Sequence, residues 1–144
     1  FNKKAFEEKF YNAVENYNKN SISFSMMFID LDNFKQVNDT MGHDKGDEAL
    51  REVAHFLTDK FRKNDDIFRF GGDEFIVLLY NIENKDAIEI SNKIEDLFIN
   101  SNIANNYNIG ISIGAKQYLG EKMEDFFKET DKQMYLKKRF KKKI

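Results

Sequence analysis

The segment that most constrains this chain is residues 22–31, Ile-Ser-Phe-Ser-Met-Met-Phe-Ile-Asp-Leu. It starts as an alternation and becomes continuously apolar before it meets an acid. Such a run reads as a strand buried in a sheet, since a strand with one wet face would keep alternating. A carboxylate at the end of a buried strand is costly unless it is solvated, hydrogen-bonded or bound to a cation. Ligands of open sheets gather beyond the carboxyl ends of strands, which makes Asp30 the first candidate for chemistry. Asp32 and Asn33, just after it, equally suit the N-cap of a short helix.

Two more β-rich runs, 66–70 and 74–80, flank Gly71-Gly72. A Gly-Gly pair in that setting predicts a tight hairpin through a primed turn with positive φ. A fourth strand is expected over 107–118, where Ile109, Ile111 and Ile113 alternate with small residues. Helices are expected over 3–18, 33–41 (stopping near Gly42), 46–62, 85–100 and 122–140, each with apolar residues at helical spacing. The order α-β-α-α-β-β-α-β-α implies one domain over residues 1–144, of the α+β class, with a central, mostly antiparallel sheet flanked by helices. A length of 144 residues is ordinary for one domain and needs no covalent staple.

Composition narrows the chemistry. Cysteine is absent, which excludes disulfides, thiolate zinc sites and cysteine nucleophiles. With only two histidines, a metal site would be built from carboxylates and would favour a hard cation such as Mg²⁺. A formal charge of −2 gives no drive toward nucleic acid or a membrane surface. No apolar run approaches the ~18 residues of a spanning helix, so no direct membrane insertion is expected. The chain has neither an initiator Met nor a secretory signal, which predicts a cytoplasmic fragment excised from a longer protein.

Three clusters stand out. Asp30-Leu31-Asp32 is the first. Asp73-Glu74, at the hairpin tip, is the second. Adjacent strand residues point to opposite faces, so Asp73 and Glu74 should have different roles. Pairing of the hairpin beside the 22–31 strand would bring the tip acids near Asp30. Converging carboxylates of this kind make a magnesium site for nucleotide phosphates. The third cluster runs from Asn38 to Asp47, a polar, Gly-punctuated connector between two helices. An Asn and an Asp can together read the edge of guanine, the carboxylate accepting from its N1–H and exocyclic amine. Turn chemistry, with Asp47 capping the helix at 46–62, accounts for the same residues. His43 reads as a packing or hydrogen-bonding residue. The basic end Lys137, Lys138, Arg139, Lys141, Lys142, Lys143 is either a solvated helix terminus or a phosphate-binding surface. Gly110-Ile-Ser112-Ile-Gly114 has the spacing of a nucleophile elbow, but it lies inside an alternating strand and no histidine follows, so Ser112 reads as structural. No phosphate-binding P-loop is present, and Lys35 stands where a calcium loop needs Gly.

The segment Arg69-Phe70-Gly71-Gly72-Asp73-Glu74-Phe75 resembles the signature of the GGDEF family, the diguanylate cyclases. Residues 28–47, from Phe28 through Asp30-Leu31-Asp32-Asn33-Phe34-Lys35 and Asn38-Asp39 to Gly46-Asp47, resemble the family at the matching separation. Gly110 to Gly114 is similar to its third core strand, Asp131 to Lys138 to its C-terminal helix, and Phe1-Asn2-Lys3 to the end of its N-terminal segment, with the rest cut away. The resemblance covers essentially the whole chain. It implies a ferredoxin-like, palm-like nucleotidyl-cyclase fold and condensation of two GTP into cyclic di-GMP with release of two pyrophosphates. Each domain of a homodimer would bind one GTP, driven together by an upstream sensor domain. By the same resemblance, Asp30 and Asp73 with the Leu31 carbonyl would hold Mg²⁺ or Mn²⁺. Glu74 would support the metals or deprotonation of the 3′-hydroxyl. Asn38 and Asp47 would recognise guanine. The backbone at Asn33 and Phe34, with Lys35 and Lys138, would hold the triphosphate. Lys142 falls where the family usually carries Arg, and Lys141 where it carries Gly. A lysine pairs with phosphate without the bidentate geometry of Arg. Arg62-Lys-Asn-Asp65 resembles the family's product-inhibition motif, an allosteric site for cyclic di-GMP. The alternative is a catalytically inactive GGDEF domain serving as a cyclic di-GMP or GTP receptor.

Overall fold

The computed structural model describes residues 3–143, with side chains described as far as Lys141. The elements in chain order are α1 (Lys3–Asn20), β1 (Phe24–Asp32), α2 (Lys35–Met41), α3 (His43–Lys60), β2 (Asp66–Arg69), β3 (Glu74–Tyr80), α4 (Asn84–Ile99), α5 (Asn102–Tyr107), β4 (Gly110–Gln117) and α6 (Met123–Lys143). The four strands form one sheet in the order β2-β3-β1-β4, with every neighbouring pair antiparallel. This is the β-α-β-β-α-β ferredoxin-like arrangement, elaborated by extra helices. No helix among the described residues is long and apolar enough to cross a membrane.

β1 runs through the middle of the sheet, and that position explains its unbroken apolar run. Its odd-numbered residues Met27, Ile29 and Leu31 join Phe75, Val77, Leu79, Ile111 and Ile113 in a core covered by α3 and α4. Its even-numbered Phe24 and Met26 join Ile76 and Leu78 in a second core, closed by Phe6 and Phe10 of α1 and Phe126 of α6. Helices therefore cover both faces of the sheet, and β1 has no wet side on which to place polar residues.

Several local expectations are corrected. The helix expected from residue 46 begins at His43, and Gly42 alone, at φ 92°, separates it from α2. The polar connector is thus almost entirely helical, and Asp47 lies inside α3 instead of capping it. Neither Asp32 nor Asn33 caps α2: the residue before it is Phe34, without a side-chain cap, and Asn33 sits in the left-handed region at φ 66°. α5 was not expected. Its Asn-rich sequence has weak helical propensity, yet Ser101 Oγ caps it by accepting from the Ala104 N–H and Asn108 closes it at φ 55°. β4 consequently begins at Gly110, and not at residue 107. In the hairpin, Gly71 and Gly72 do not adopt positive φ. A four-residue loop over 70–73 joins the strands, with the Phe70 N–H donating to the Glu74 carbonyl at 2.8 Å. Glu74 packs over Gly71: a Cβ there would lie 2.6 Å from Glu74 Oε1, which the flexible Glu side chain could relieve by moving. Phe1 and Asn2, part of the N-terminal resemblance, lie outside the described residues.

Gly114 seats α6 on the sheet. A Cβ on it would lie 2.3 Å from the Thr130 carbonyl oxygen and 2.4 Å from the Met134 nitrogen, so the helix backbone rests directly on β4. Ser112, two residues earlier, is fully buried and donates to Asp32 at 2.8 Å, in keeping with a structural role. Gly114→Ala forces a methyl into backbone that cannot move alone, and overpacking of this kind costs about 1–3 kcal/mol. A thermal melt should show a Tm several degrees below that of the wild type; an unchanged Tm would mean that α6 does not lie on Gly114.

Candidate active site

The register of β1 against β3 sets Asp30 directly opposite Glu74. One residue on, the Leu31 N–H donates to the Asp73 carbonyl at 3.1 Å. Backbone pairing thus joins the strand-end acids to the hairpin-tip acids, as expected. α6 brings a cation to the same point. Lys138 Nζ lies 2.6 Å from Asp30 Oδ2 and 3.2 Å from the Leu31 carbonyl oxygen. The other oxygen of Asp30, Oδ1, is buried without a hydrogen-bond partner.

Burial pushes the Asp30 carboxyl above the ordinary range; Lys138 opposes this, and the charges of Asp73 and Asp32 reinforce it. Glu74 is raised as well, first by burial and then by Asp30, Asp73 and Asp131, against the pull of Lys138. Two neighbouring carboxyls that resist ionisation mark a place that added positive charge would stabilise.

A cavity of about 630 Å³ opens beside these acids. Leu31, Asn33, Phe34, Lys35, Asp73 and Lys138, all singled out in the sequence, lie on its wall together with Asp32 and Lys141. Neither Glu74 nor its cross-strand partner Asp30 is on that wall; Asp73, in the loop before β3, is. Asn33 donates through Nδ2 to the Asn108 carbonyl at 3.2 Å, tying the turn after β1 to the end of α5. Lys142 belongs to α6, but its side chain lies outside the described residues.

The two residues expected to read guanine sit apart from that wall. Asn38, on α2, approaches α3 so closely that a Cβ on Gly46 would fall 1.8 Å from its Oδ1. Asp47 lines a separate depression of about 190 Å³ with Arg51, Arg69 and Phe75. The earlier start of α3 carries Asp47 onto a helical face beside the hairpin. Arg69 donates to the carbonyls of Gly71 (3.2 Å) and Gly72 (2.8 Å), holding the loop tip against its own strand.

Arg62 and Asp65 form a two-pronged pair, with Nε to Oδ2 at 3.0 Å and the terminal nitrogen to Oδ1 at 2.8 Å. The same terminal nitrogen donates to the Tyr80 carbonyl at 2.6 Å. Asp65 is almost wholly buried, whereas the Arg62 side chain is 54% exposed. Both border a distinct cavity of about 410 Å³ with Lys93 and Leu97.

Two features of the site were not foreseen: the partners of Lys141, which the sequence placed only in the basic end, and the fit of Gly46 under Asn38. Lys141 pairs with Asp32 at 3.0 Å and donates to Ser112 Oγ at 3.2 Å and to the Ile111 carbonyl. Its spacing of three residues from Lys138, which puts both on one helical face, was the available signal. The close fit of Gly46 under Asn38 depends on how two helices meet and left no local signal.

Among the described residues no three or more acidic or histidine side chains converge tightly enough to hold a metal by themselves. The donors present nonetheless suit Mg²⁺ or Mn²⁺. They are hard oxygens, Asp30 Oδ1 lacks a partner, and an ammonium already sits between Asp30 and the Leu31 carbonyl. Mg²⁺ is commonly held by one or two carboxylates completed by water and substrate phosphate. The raised Glu74 predicts a pH-dependent cost. Its folded form binds a proton more tightly than its unfolded form, so stability falls as pH rises from the ordinary Glu value of 4.5 through the raised one. Glu74→Gln should therefore melt higher than the wild type near about pH 7.5 in metal-free buffer, with the gain vanishing toward about pH 4. A gain independent of pH would rule out the ionisation of the partly buried Glu74 carboxyl as its cause.

A family model described as diguanylate cyclase, GGDEF domain, matches residues 1–143. Diguanylate cyclase DosC of Escherichia coli is 32% identical over 135 residues, covering 90% of this chain and 29% of DosC. The chain thus spans less than a third of the length of that curated relative. Among solved structures, the GGDEF domain of YfiN (TpbB) from Pseudomonas aeruginosa superposes with a TM-score of 0.85 at 29% identity, over 95% of this chain and 89% of that one. A structure described as the active GGEEF domain of a diguanylate cyclase from Vibrio cholerae gives 0.80 at 29% identity, over 89% and 84%. With the signature at its hairpin, the sheet order and the family match in agreement, this chain belongs to the GGDEF-domain family of diguanylate cyclases.

Proposed function

We propose that the domain is an active diguanylate cyclase, joining two GTP into cyclic di-GMP with release of two pyrophosphates. The observation that supports this reading is the meeting of Asp30, Asp73 and Glu74 with Lys138, next to a cavity that Asp73 and Lys138 line. In each half-reaction the 3′-oxygen of one GTP attacks the α-phosphorus of the other. A phosphodiester forms, the bond to the β-phosphate breaks, and pyrophosphate leaves. Such a reaction depends on in-line positioning and charge neutralisation more than on covalent chemistry.

The residues divide these tasks. Asp30, Asp73 and the Leu31 carbonyl would hold Mg²⁺ or Mn²⁺, which supplies charge neutralisation at the phosphates and lowers the pKa of the attacking hydroxyl. Lys35 and Lys138 serve as point charges for the triphosphate, with the backbone at Asn33 and Phe34 on the same wall. Glu74, already inclined to hold a proton, supports the cation or accepts the proton of the 3′-hydroxyl. Asn38 and Asp47 read the guanine, the base extending from the cavity toward α2 and α3. Cyclic di-GMP is two identical halves, which a symmetric pair of domains, each holding one GTP, would assemble. An upstream sensor domain would bring the pair together in the cytoplasm, where GTP is available. Arg62 and Asp65 would bind product as a feedback inhibitor after the guanidinium gives up part of its pairing with Asp65.

The test is incubation of the full-length protein with GTP and Mg²⁺, with chromatographic resolution of nucleotides and a coupled pyrophosphate assay. Cyclic di-GMP and pyrophosphate should appear in a ratio of one to two. Asp73→Ala should lower the rate roughly a hundredfold or more while leaving the circular dichroism spectrum unchanged. Binding of GTP or cyclic di-GMP without turnover would establish the receptor reading in its place.

A further inference from the structure

Lys141 is a cation at the cavity to which the family pattern gives no role. It lies one turn beyond Lys138 on α6, and both line the same space as Lys35. Its ammonium is 3.0 Å from Asp32 Oδ2 and 3.9 Å from Glu95 Oε2. It is also the more reachable of the two helix lysines, with its side chain 40% exposed against 23% for Lys138.

Asp32 does not depend on Lys141. Ser112 donates to both of its oxygens, at 2.8 and 3.0 Å, and Lys138 stands 3.8 Å away. Lys141 can therefore turn into the cavity without stranding a buried carboxylate, which would be the main penalty for such a move. A lysine is suited to the change, being a compact charge with three donors on a flexible stem. Lys35 and Lys138 on the same wall make the space attractive to a ligand that carries several negative charges close together.

We propose that Lys141 is a phosphate-binding residue for the outer phosphates of the nucleotide, exchanging Asp32 for the triphosphate tail when substrate enters. The inference rests on the cyclase reading and assigns a substrate contact to a position at which the family resemblance expects glycine.

Calorimetry on the full-length protein with Mg²⁺ tests it, using two probes. One is the α,β-methylene analogue of GTP, whose α–β bridge cannot release pyrophosphate; the other is GMP, which lacks the outer phosphates. Lys141→Met should weaken the analogue about tenfold, as expected for loss of one charged hydrogen bond, and change GMP by less than about twofold. Lys141→Arg should keep the analogue within about threefold of the wild type, since the charge is retained. A thermal melt of each variant shows that it is folded. If the wild type prefers the analogue over GMP and Lys141→Met keeps the same preference, Lys141 makes no contact with the outer phosphates and the inference falls alone. If the wild type binds neither probe, the cyclase reading falls with it.

Discussion

The antiparallel pairing of β1 with β3 is the constraint on which the site depends. Residues Asp30 and Glu74 are partners in that register, and Leu31 is bonded to the backbone of Asp73. Slippage by one residue would turn the apolar residues of β1 to the wrong faces and empty both cores. The burial of Met27, Ile29 and Leu31 on one side and Phe24 and Met26 on the other therefore locks the acids together, although their mutual repulsion opposes it. Burial first, and then the neighbouring acids, raise the carboxyls of Asp30 and Glu74, and the charge of Lys138 opposes the shift.

α6 completes the arrangement from the opposite end of the chain. Its backbone rests on Gly114, and its next turns carry Lys138 to Asp30 and Lys141 to Asp32. Lys137, on the neighbouring face, holds Glu95 of α4 at 3.0 Å, and Glu95 in turn accepts from the N–H of Ile113 on the edge strand at 2.9 Å. The helix that delivers the site's lysines is thus tied to the sheet and to α4. Charged side chains at this end neutralise acids that would otherwise face one another across the cavity.

Much of this was legible in the sequence, for identifiable reasons. β1 was visible because a central strand covered on both faces has no place for polar residues. Asp30 and Asp73 were visible because acids beside a buried strand and at a glycine hairpin are chemically conspicuous. The hairpin was found for a reason that differs from the structure: neither Gly71 nor Gly72 supplies the positive φ of a primed turn. α5 was hidden because its Asn-rich residues are weak helix formers whose geometry is fixed by Ser101 and Asn108 at its ends. A cap was one of the two readings open for Asp47 because a polar, glycine-containing stretch looks like a loop, whereas Gly42 alone makes the break. The contacts of Lys141 join α6 to β1 and β4 across the chain; the helical spacing from Lys138 puts it on the right face but does not name its partners.

In the proposed reaction, the joined ends of β1 and the hairpin would share a divalent cation with a nucleotide triphosphate. Electron paramagnetic resonance of Mn²⁺ titrated into the protein with the α,β-methylene analogue of GTP reads this directly. Bound Mn²⁺ is expected in the wild type and weak binding in Asp30→Asn and in Asp73→Asn alike, with the fold retained in both. Equally tight Mn²⁺ binding in the double variant, Asp30→Asn with Asp73→Asn, would contradict it.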